Sequence, residues 1–161
     1  MKLSRRGLYA LRALLHLAER WEEGAVPVHE IADAEGIPAK FLEGILVTLK
    51  NARVVGSVRG RDGGYALQRP PEEIHVGDLV RLLDGPLAPL GDAAELRRLV
   101  ATEPRHAGLF ELLLDVRDAA AELLDNTTLA DILARDRRIL AARARAERRA
   151  GITKQSGSRK K

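Results

Sequence analysis

One stretch decides the fold: Val54-Val55-Gly56-Ser57-Val58-Arg59-Gly60-Arg61-Asp62-Gly63-Gly64-Tyr65-Ala66-Leu67. β-Branched residues flank a centre that contains glycines and two arginines, which predicts two short strands joined by a sharp turn. Arginines on such a turn can approach a phosphate backbone. Taken alone, the pattern is equally typical of a solvated turn.

Two short helices are predicted immediately before this hairpin. The first covers residues 27–36 and ends at Gly36, because glycine suits the left-handed position after a helix, and Pro38 begins the second. Residues at helical spacing give the second helix a core-facing stripe of Phe41, Leu42, Ile45, Leu46 and Leu49. This order predicts a winged helix-turn-helix, with the helix-turn-helix at about 28–51 and the wing at about 54–67. The expected partner is double-stranded DNA.

The composition indicates a mainly helical protein with one compact domain and extensions. The chain has 161 residues, is rich in aliphatic side chains and contains only 3% aromatic residues. No apolar run is long enough to span a bilayer and no signal-peptide cleavage pattern follows the N-terminus, so we expect a cytoplasmic protein without a membrane partner. The sequence contains no cysteine, which excludes disulfides, thiol nucleophiles and thiolate metal sites.

Charge is unevenly distributed along the chain. Residues 1–69 carry a net charge of +3, residues 70–134 of −8 and residues 135–161 of +9. A basic front with a separate acidic half fits a nucleic-acid-binding domain better than a uniformly basic protein would. The last segment, 150–161, is predicted to be a basic, disordered tail that either adds nonspecific DNA affinity or only aids solubility.

Helices are predicted on both sides of the helix-turn-helix and wing. A short amphipathic helix ending near residue 83 closes a DNA-binding domain at 1–83, a loop and short helix fill 84–103, and two further helices fill 104–149. The first helix of the chain is predicted from Ser4 or Arg5 to about Trp21, with Ser4 as a candidate N-cap. Its predicted buried stripe is Leu8, Leu11, Leu14, Leu15 and Ala18.

The long helix predicted from Pro104 to Leu124 has a larger apolar face than a small domain needs. About twenty helical residues span about 30 Å, and the surplus apolar face favours a homodimer. The alternative is a helix packed on its own domain. The predicted dimerisation residues are Leu109, Leu112, Leu113, Val116, Ala120 and Leu123.

No sequence pattern indicates an enzyme or a metal site. The four histidines show neither HExxH spacing nor pairing with cysteine, and each is expected at the surface or at a helix cap. Residues 60–64 lie between two predicted strands, which excludes a nucleotide-binding loop. No serine lies in a nucleophile elbow.

Short motifs spread over about residues 1–134 carry a family resemblance. They are Met1-Lys2-Leu3-Ser4, Gly7-Leu8-Tyr9-Ala10, Ile31-Ala32, Gly36-Ile37, Phe41-Leu42-Glu43, Val58-Arg59-Gly60, Gly63-Gly64-Tyr65 and Asn126-Thr127-Thr128-Leu129. Together they resemble the IscR/NsrR/CymR regulators, the Rrf-two family. The resemblance implies a winged helix-turn-helix, a dimer formed through the long helix, and binding to an imperfect palindrome.

The resemblance also implies which residues contact DNA. Arg59 would enter the minor groove from the wing, where a narrow groove concentrates negative potential, while neighbouring wing residues shape its approach. Glu43, at the start of the recognition helix, can accept a hydrogen bond from a cytosine amino group and so discriminate between sites. Apart from the resemblance, Arg5 and Arg6 at the start of the first helix either meet a phosphate together with free backbone N–H groups or belong to a solvated terminus. From both sources together, the full set of predicted DNA contacts is Ser4, Arg5, Arg6, Tyr9, Pro38, Ala39, Lys40, Phe41, Glu43, Lys50, Arg59, Gly60, Arg61 and Tyr65.

The chain departs from the family at the cofactor. Many members hold an iron–sulfur cluster through three cysteines between the fourth helix and the long helix, plus one further ligand, but residues 84–105 contain no cysteine. A cysteine-ligated cluster is therefore impossible, and no cofactor is expected. One alternative is a cofactor-free regulator that senses a small molecule or a partner protein. The other is a cluster or metal held by His16, His29 or His106 with nearby acids.

These features predict a sequence-specific transcriptional regulator with a mainly α fold, a small β-hairpin wing and a long C-terminal dimerisation helix. It would act as a homodimer on a palindromic operator, as a repressor rather than an activator. The alternative is a protein-interaction scaffold, in which the winged helix and the acidic helical half dock a metabolic enzyme or another partner.

Overall fold

A computed structural model describes residues 3–60, 63–86 and 92–157, with side chains described through residue 148. Within these ranges the chain forms seven α-helices, one 3-10 turn (Pro71–Glu73) and one two-stranded antiparallel hairpin. The elements in order are α1 (Arg5–Glu19), α2 (Val28–Glu35), α3 (Ala39–Asn51), β1 (Val55–Val58), β2 (Gly64–Leu67), α4 (Val76–Asp84), α5 (Ala93–Thr102), α6 (Ala107–Asp125) and α7 (Leu129–Gly157). The predicted mainly α fold with a hairpin wing is confirmed.

The main core lies where α1, α2 and α3 meet the hairpin. Leu129 and Leu133 of α7 belong to the same core, so the start of the last helix is anchored in the N-terminal half. Burial of one leucine-sized side chain contributes about 2 kcal/mol. The largest fully buried side chains are Leu14, Ile31, Leu42, Ile45, Leu46, Leu49, Val55, Ile74, Leu79 and Leu129.

The buried face of α1 differs from the predicted stripe. Leu14 and Ala18 are buried as predicted, but Leu8 is 47% exposed, and Ala10 and Leu17 are buried instead. Leu11 and Leu15 only pack partly against the core. Small alanines allow α1 to lie close to its neighbours, whereas the prediction gave most weight to the large leucines.

The histidines follow the prediction except for one. His75 and His106 occupy the N-cap positions of α4 and α6. His16 is buried, contrary to its predicted surface or cap position. Its Nδ1 lies 3.4 Å from Glu35 Oε1, and its Nε2 contacts Arg20. These polar partners explain how a histidine can occupy the inner face of α1.

The second half of the chain is joined to the first around the start of α4. The backbone N–H of Val76 donates to the Thr127 carbonyl at 2.8 Å, and Leu129 N–H donates to the Ile74 carbonyl at 3.0 Å. Arg81 Nη2 donates to Asp125 Oδ2 at 2.6 Å, and this hydrogen bond holds the pKa of Asp125 below its ordinary value. The turn between α6 and α7 is thereby fixed to α4.

The last helix is longer than the sequence predicted. A disordered tail was expected from residue 150, but the backbone of α7 is helical to Gly157, through a glycine at position 151. The segment before it is rich in alanine and arginine, which have high helix propensity and outweigh one glycine. Residues 158–161 lie outside the described residues.

Candidate nucleic-acid interface

The turn between α2 and α3 has the geometry that the sequence predicted. Gly36 is left-handed, with φ 60° and ψ 40°, and the following Ile37 N–H donates to the Ala32 carbonyl at 2.9 Å. Ile37 is buried and fixes the turn in the core. Pro38 occupies the N-cap position, so α3 begins one residue later than predicted, at Ala39.

Helix α3 has one buried face and one free face. The buried face consists of Leu42, Ile45, Leu46 and Leu49, and the free face contains Ala39, Lys40, Glu43, Val47 and Lys50, all exposed. Val47 was not among the predicted DNA contacts, although its position between the polar residues places it in the middle of this face.

Phe41 does not belong to the core, contrary to its predicted place in the buried stripe. It is 45% exposed, and its ring meets Tyr9 edge to face at a centroid distance of 5.8 Å. Phe41 lies just outside the buried arc of α3, towards α1, because its place in the helical cycle differs from that of Leu42 and Ile45. The two predicted contacts Tyr9 and Phe41 are therefore brought together at the start of α3.

The start of α1 is joined to α3. Ser4 caps α1, its hydroxyl accepting from the Gly7 N–H at 2.9 Å, as the sequence predicted. Arg6 Nη2 donates to Thr48 Oγ1 at 2.7 Å. Arg5 is exposed and forms no ion pair within the described part of the chain. Of the two N-terminal arginines, Arg6 is thus bonded to α3, and Arg5 is exposed at the start of α1.

Asp84 is a residue of this region that sequence reasoning missed. It accepts from the Ser4 backbone N–H at 2.8 Å and from the Ser4 hydroxyl. Gly7 permits this approach, because a Cβ there would lie 2.5 Å from Asp84 Oδ2. No local pattern predicts a contact across 80 positions of sequence. The last residue of α4 is thereby bonded to the N-cap of α1.

The wing is a regular hairpin held against the chain before α2. Val58 pairs with Gly64, and Tyr65 exchanges two backbone hydrogen bonds with Val26, at 2.8 and 2.9 Å. Gly64 is required here, since a Cβ would lie 2.2 Å from the Val26 carbonyl oxygen. Tyr65 is half-buried against the core, and its position suits an anchor of the wing.

The tip of the wing carries the predicted groove contacts. Arg59 is exposed, and no ion pair or hydrogen bond of its side chain occurs within the ranges described. Gly60 has φ 119°, a conformation that glycine adopts without strain. Arg61 lies outside the described residues, so its predicted contact is not placed.

Two cations lie at the junction of α3 and the wing. Lys50 Nζ donates to Ser57 Oγ of β1 at 2.6 Å. Arg53 is the C′ residue of α3, in a left-handed conformation with φ 57°, and the next N–H, that of Val54, donates to the Leu49 carbonyl at 2.9 Å. This is the Schellman arrangement that usually takes glycine. Arg53 was not among the predicted contacts, and the absence of glycine hid the turn.

The charges on this face differ from those on the side of α1 that faces α2. There Arg12 pairs with Glu35 and Arg20 pairs with Glu30. By contrast, Lys40, Lys50, Arg53 and Arg59 form no ion pair within the described ranges. Unpaired exposed cations around a protruding helix and a hairpin tip are suited to phosphate oxygens of a duplex.

The residues do not fit an iron–sulfur cluster. The whole chain lacks cysteine, and within the described ranges no group of three histidine, aspartate or glutamate side chains is placed to hold a metal ion. The segment at 87–91, between the described ranges, contains only leucine, alanine, proline and glycine. No step of the function is therefore assigned to such a cofactor.

Helix α6 presents a continuous apolar stripe. The helix has no buried residue, and Leu109, Leu112, Val116 and Leu123 are between 48% and 59% exposed. Their spacing puts them on one face of the helix together with Leu113 and Ala120, which are half-buried. The other side of α6 packs against α5 and α4. The six predicted dimerisation residues thus share one stripe.

The fold, together with the exposed basic face formed by α3 and the wing, defines a winged helix-turn-helix DNA-binding protein. Comparison with known proteins makes the class more specific: residues 3–135 match the Rrf2 family, described as "Iron-dependent Transcriptional regulator". The chain belongs to this family. The resemblance seen in the sequence motifs is confirmed.

Relatives and solved structures agree with this assignment. The chain is 36% identical over 132 residues to the HTH-type transcriptional regulator CymR of Bacillus subtilis, covering 82% of this chain and 89% of CymR. It is 31% identical over 140 residues to the HTH-type transcriptional regulator IscR of Sodalis glossinidius, covering 84% of this chain and 81% of that protein. The solved structure of CymR, the global cysteine regulator of B. subtilis, has a TM-score of 0.72 at 34% identity, and the match covers 83% of this chain and 97% of CymR. T. potens IscR has a TM-score of 0.64 at 34% identity, covering 84% of this chain and 88% of that chain.

The protein is therefore a DNA-binding transcriptional regulator, not an enzyme. Within the described ranges, no helix combines the length and apolar character needed to cross a bilayer.

Proposed function

We propose that the protein is a homodimeric repressor that binds a palindromic operator without a metal cofactor. The apolar stripe of α6 is the observation that carries this proposal. Leu109, Leu112, Val116 and Leu123 would remain in water in a monomer, and a two-fold pairing of identical stripes would bury them. A dimer would present two helix-turn-helix units to two related half-sites.

Each half of the dimer would contact both grooves. The free face of α3 would enter the major groove, where Lys40 and Lys50 can bond to phosphates or base edges and Glu43 can accept from a cytosine amino group. Arg59 at the wing tip would enter the adjacent minor groove. The exposure of these side chains, without competing ion pairs in the described ranges, supports this arrangement. We add Arg53 as a phosphate contact between the two.

The signal that the regulator senses would be a small molecule or a partner protein. The hydrogen bonds between Asp84 and Ser4 offer a path for that signal. A ligand that displaces the chain after α4 would also displace Asp84 and, through its hydrogen bonds, the start of α1. Arg6 of α1 is in turn bonded to the recognition helix at Thr48. This linkage would couple the segment after α4 to the DNA-facing surface.

The decisive experiment is selection of binding sites from random duplex DNA with the full-length protein at near-physiological salt and no added cofactor. A two-fold-related sequence is expected. In transcription reactions in vitro, the protein should then reduce output from a promoter that overlaps this site. Enrichment of no sequence, together with weak and strongly salt-dependent binding, would contradict the proposal and favour a scaffold that docks another protein.

Two variants test the assigned contacts on the selected operator. Arg59→Ala should weaken binding by about 1–3 kcal/mol, or about 5- to 150-fold in Kd, if Arg59 enters the groove. The matched control is Arg97→Ala, which removes an exposed arginine from α5 and should leave Kd unchanged. Glu43→Ala should broaden the selected sequences more than it changes affinity. Equal Kd values for the Arg59 and Arg97 variants would remove Arg59 from the interface.

A further inference from the structure

The last helix extends beyond the part of the chain that defines the family. The family match ends at residue 135, whereas α7 continues to Gly157. Among the side chains of α7 described through residue 148, the last buried one is Leu133, and every residue from 134 to 148 is exposed. We call residues 135–157 of α7 the basic arm. Through residue 148, it is a helical extension whose side chains are not buried in the core of the domain.

The charged residues of the arm are mostly basic. All of its basic residues up to position 149 are arginines, and acids are limited to Asp136 and Glu147. Among the described side chains of the arm, Arg137 donates from Nε to the Leu133 carbonyl at 3.3 Å, and the charge of Arg135 acts on Asp131 one turn earlier in the helix. The arm's exposed arginines without an ion pair in the described ranges are Arg135, Arg138, Arg143, Arg145 and Arg148.

We propose that this basic arm is a second DNA-binding element, which contacts the phosphate backbone of duplex DNA flanking the operator. The inference rests on the proposed function, because it requires an operator to which the dimer is bound. A helix rises 1.5 Å per residue, so the chain from Leu133 to Gly157 spans about 36 Å. One turn of B-form duplex is about the same length, 34–36 Å. The guanidinium group also binds phosphate through two parallel hydrogen bonds.

The distribution of side chains favours a nucleic acid over a protein or a membrane. Ile139 and Leu140 are the only large apolar residues among the arm's described side chains, and alanines fill the positions between the arginines. This leaves too little apolar surface for a protein interface core or for insertion into a bilayer. Arg138 and Arg145 lie on one face of the helix, while Arg143 lies on another. Charges spread around a helix suit the long-range field of a polyanion.

The test compares two DNA fragments and three proteins. One fragment is the selected operator alone, and the other carries about one further turn, about 10 base pairs, on each side. The proteins are the full chain, R145Q/R148Q, and the control R97Q/R105Q, whose two arginines are exposed outside the arm. All substituted side chains are exposed, and equal melting temperatures would show that each variant folds.

The full chain and the control should bind the longer fragment at least about tenfold more tightly, with a steeper salt dependence. The R145Q/R148Q variant removes four arginines from a dimer, so its log Kd against log salt slope on the longer fragment should fall by up to about 4. Its binding to the short operator should be unchanged.

Three results would overturn the inference. Operator-specific binding without any gain from flanking DNA would reject the arm's role and leave the proposed function intact. An equal loss of affinity of R145Q/R148Q on the short and the longer fragment would show that the arm does not act through the flanking DNA. Equal binding of operator and scrambled sequence would reject the proposed function, and the inference with it.

Discussion

Replacement of Arg53 by glycine should make the protein more stable and its DNA binding weaker. Arg53 adopts φ 57° at the end of α3, a conformation that costs an L-residue about 1–2 kcal/mol. Glycine removes that cost but gives the unfolded chain more freedom, worth about 0.5–1 kcal/mol. The net expectation is a stabilisation of about 0.5–1 kcal/mol, or about 1–4 °C in Tm for a chain of this size.

The effect on DNA binding should have the opposite sign. If each Arg53 neutralises one phosphate, a dimer loses two contacts, and the log Kd against log salt slope falls by about 1.8. Arg53→Asn is the matched control, because asparagine tolerates the left-handed conformation and also lacks the charge. It should bind DNA as weakly as Arg53→Gly. Thermal unfolding and a salt series on the operator measure both effects. A lower Tm for Arg53→Gly would refute the strain argument, and an unchanged salt slope would refute the phosphate contact.

Three further changes test other parts of the structure. Gly64→Ala places a Cβ against the Val26 carbonyl oxygen, so we expect loss of two backbone hydrogen bonds and about 2 kcal/mol of stability in chemical unfolding; wild-type stability would contradict this close approach. Leu112→Glu puts a charge on the exposed stripe of α6 and should convert dimer to folded monomer in sedimentation, whereas an intact dimer would locate the interface elsewhere. Asp125→Asn removes the carboxylate whose pKa is lowered by the hydrogen bond from Arg81. Because the pKa of Asp125 is lower in the folded protein than in the unfolded chain, protonation of this carboxylate favours unfolding. Its contribution to stability is therefore complete above the ordinary aspartate pKa of about 3.9, and it disappears as pH falls through the lower pKa of the folded protein. The free energy of unfolding of the variant should be lower at pH 7 by up to about 1 kcal/mol, and the values for the two proteins should become equal in acid. A difference that stays constant across pH would show that the ionised Asp125 carboxylate is not its cause.

Local patterns predicted the elements of the fold well. Gly36 and the apolar spacing of α3 identified the helix-turn-helix, because the left-handed turn and the buried face both depend on residues that are close together in the sequence. The hairpin at 54–67 was also predicted locally. The buried face of α1 was less predictable, since the close approach of Ala10 depends on which helix lies opposite, and this is decided by tertiary packing.

The contacts that organise the candidate interface were not predictable from the sequence. Asp84 is a single acidic residue at the end of a helix, and nothing nearby indicates that Ser4 is its partner. Arg53 occupies the left-handed position at the end of α3, and only a glycine there would have indicated this turn from the sequence. The position of Phe41 also misled, because a large aromatic at nearly the right helical spacing was assigned to the core although it lies exposed beside Tyr9.

The hydrogen bond from Lys50 to Ser57 has a consequence for the operator. It joins α3 directly to the wing, within a segment already held by the backbone bond from Val54 to Leu49. In the proposed binding mode, the distance between the major-groove contacts and the minor-groove contacts of one subunit is therefore fixed by the fold. Inserting a base pair between them moves one contacted site by about 3.4 Å and rotates it by about 35°. Such an insertion should abolish recognition of that half-site, even when every contacted base is kept.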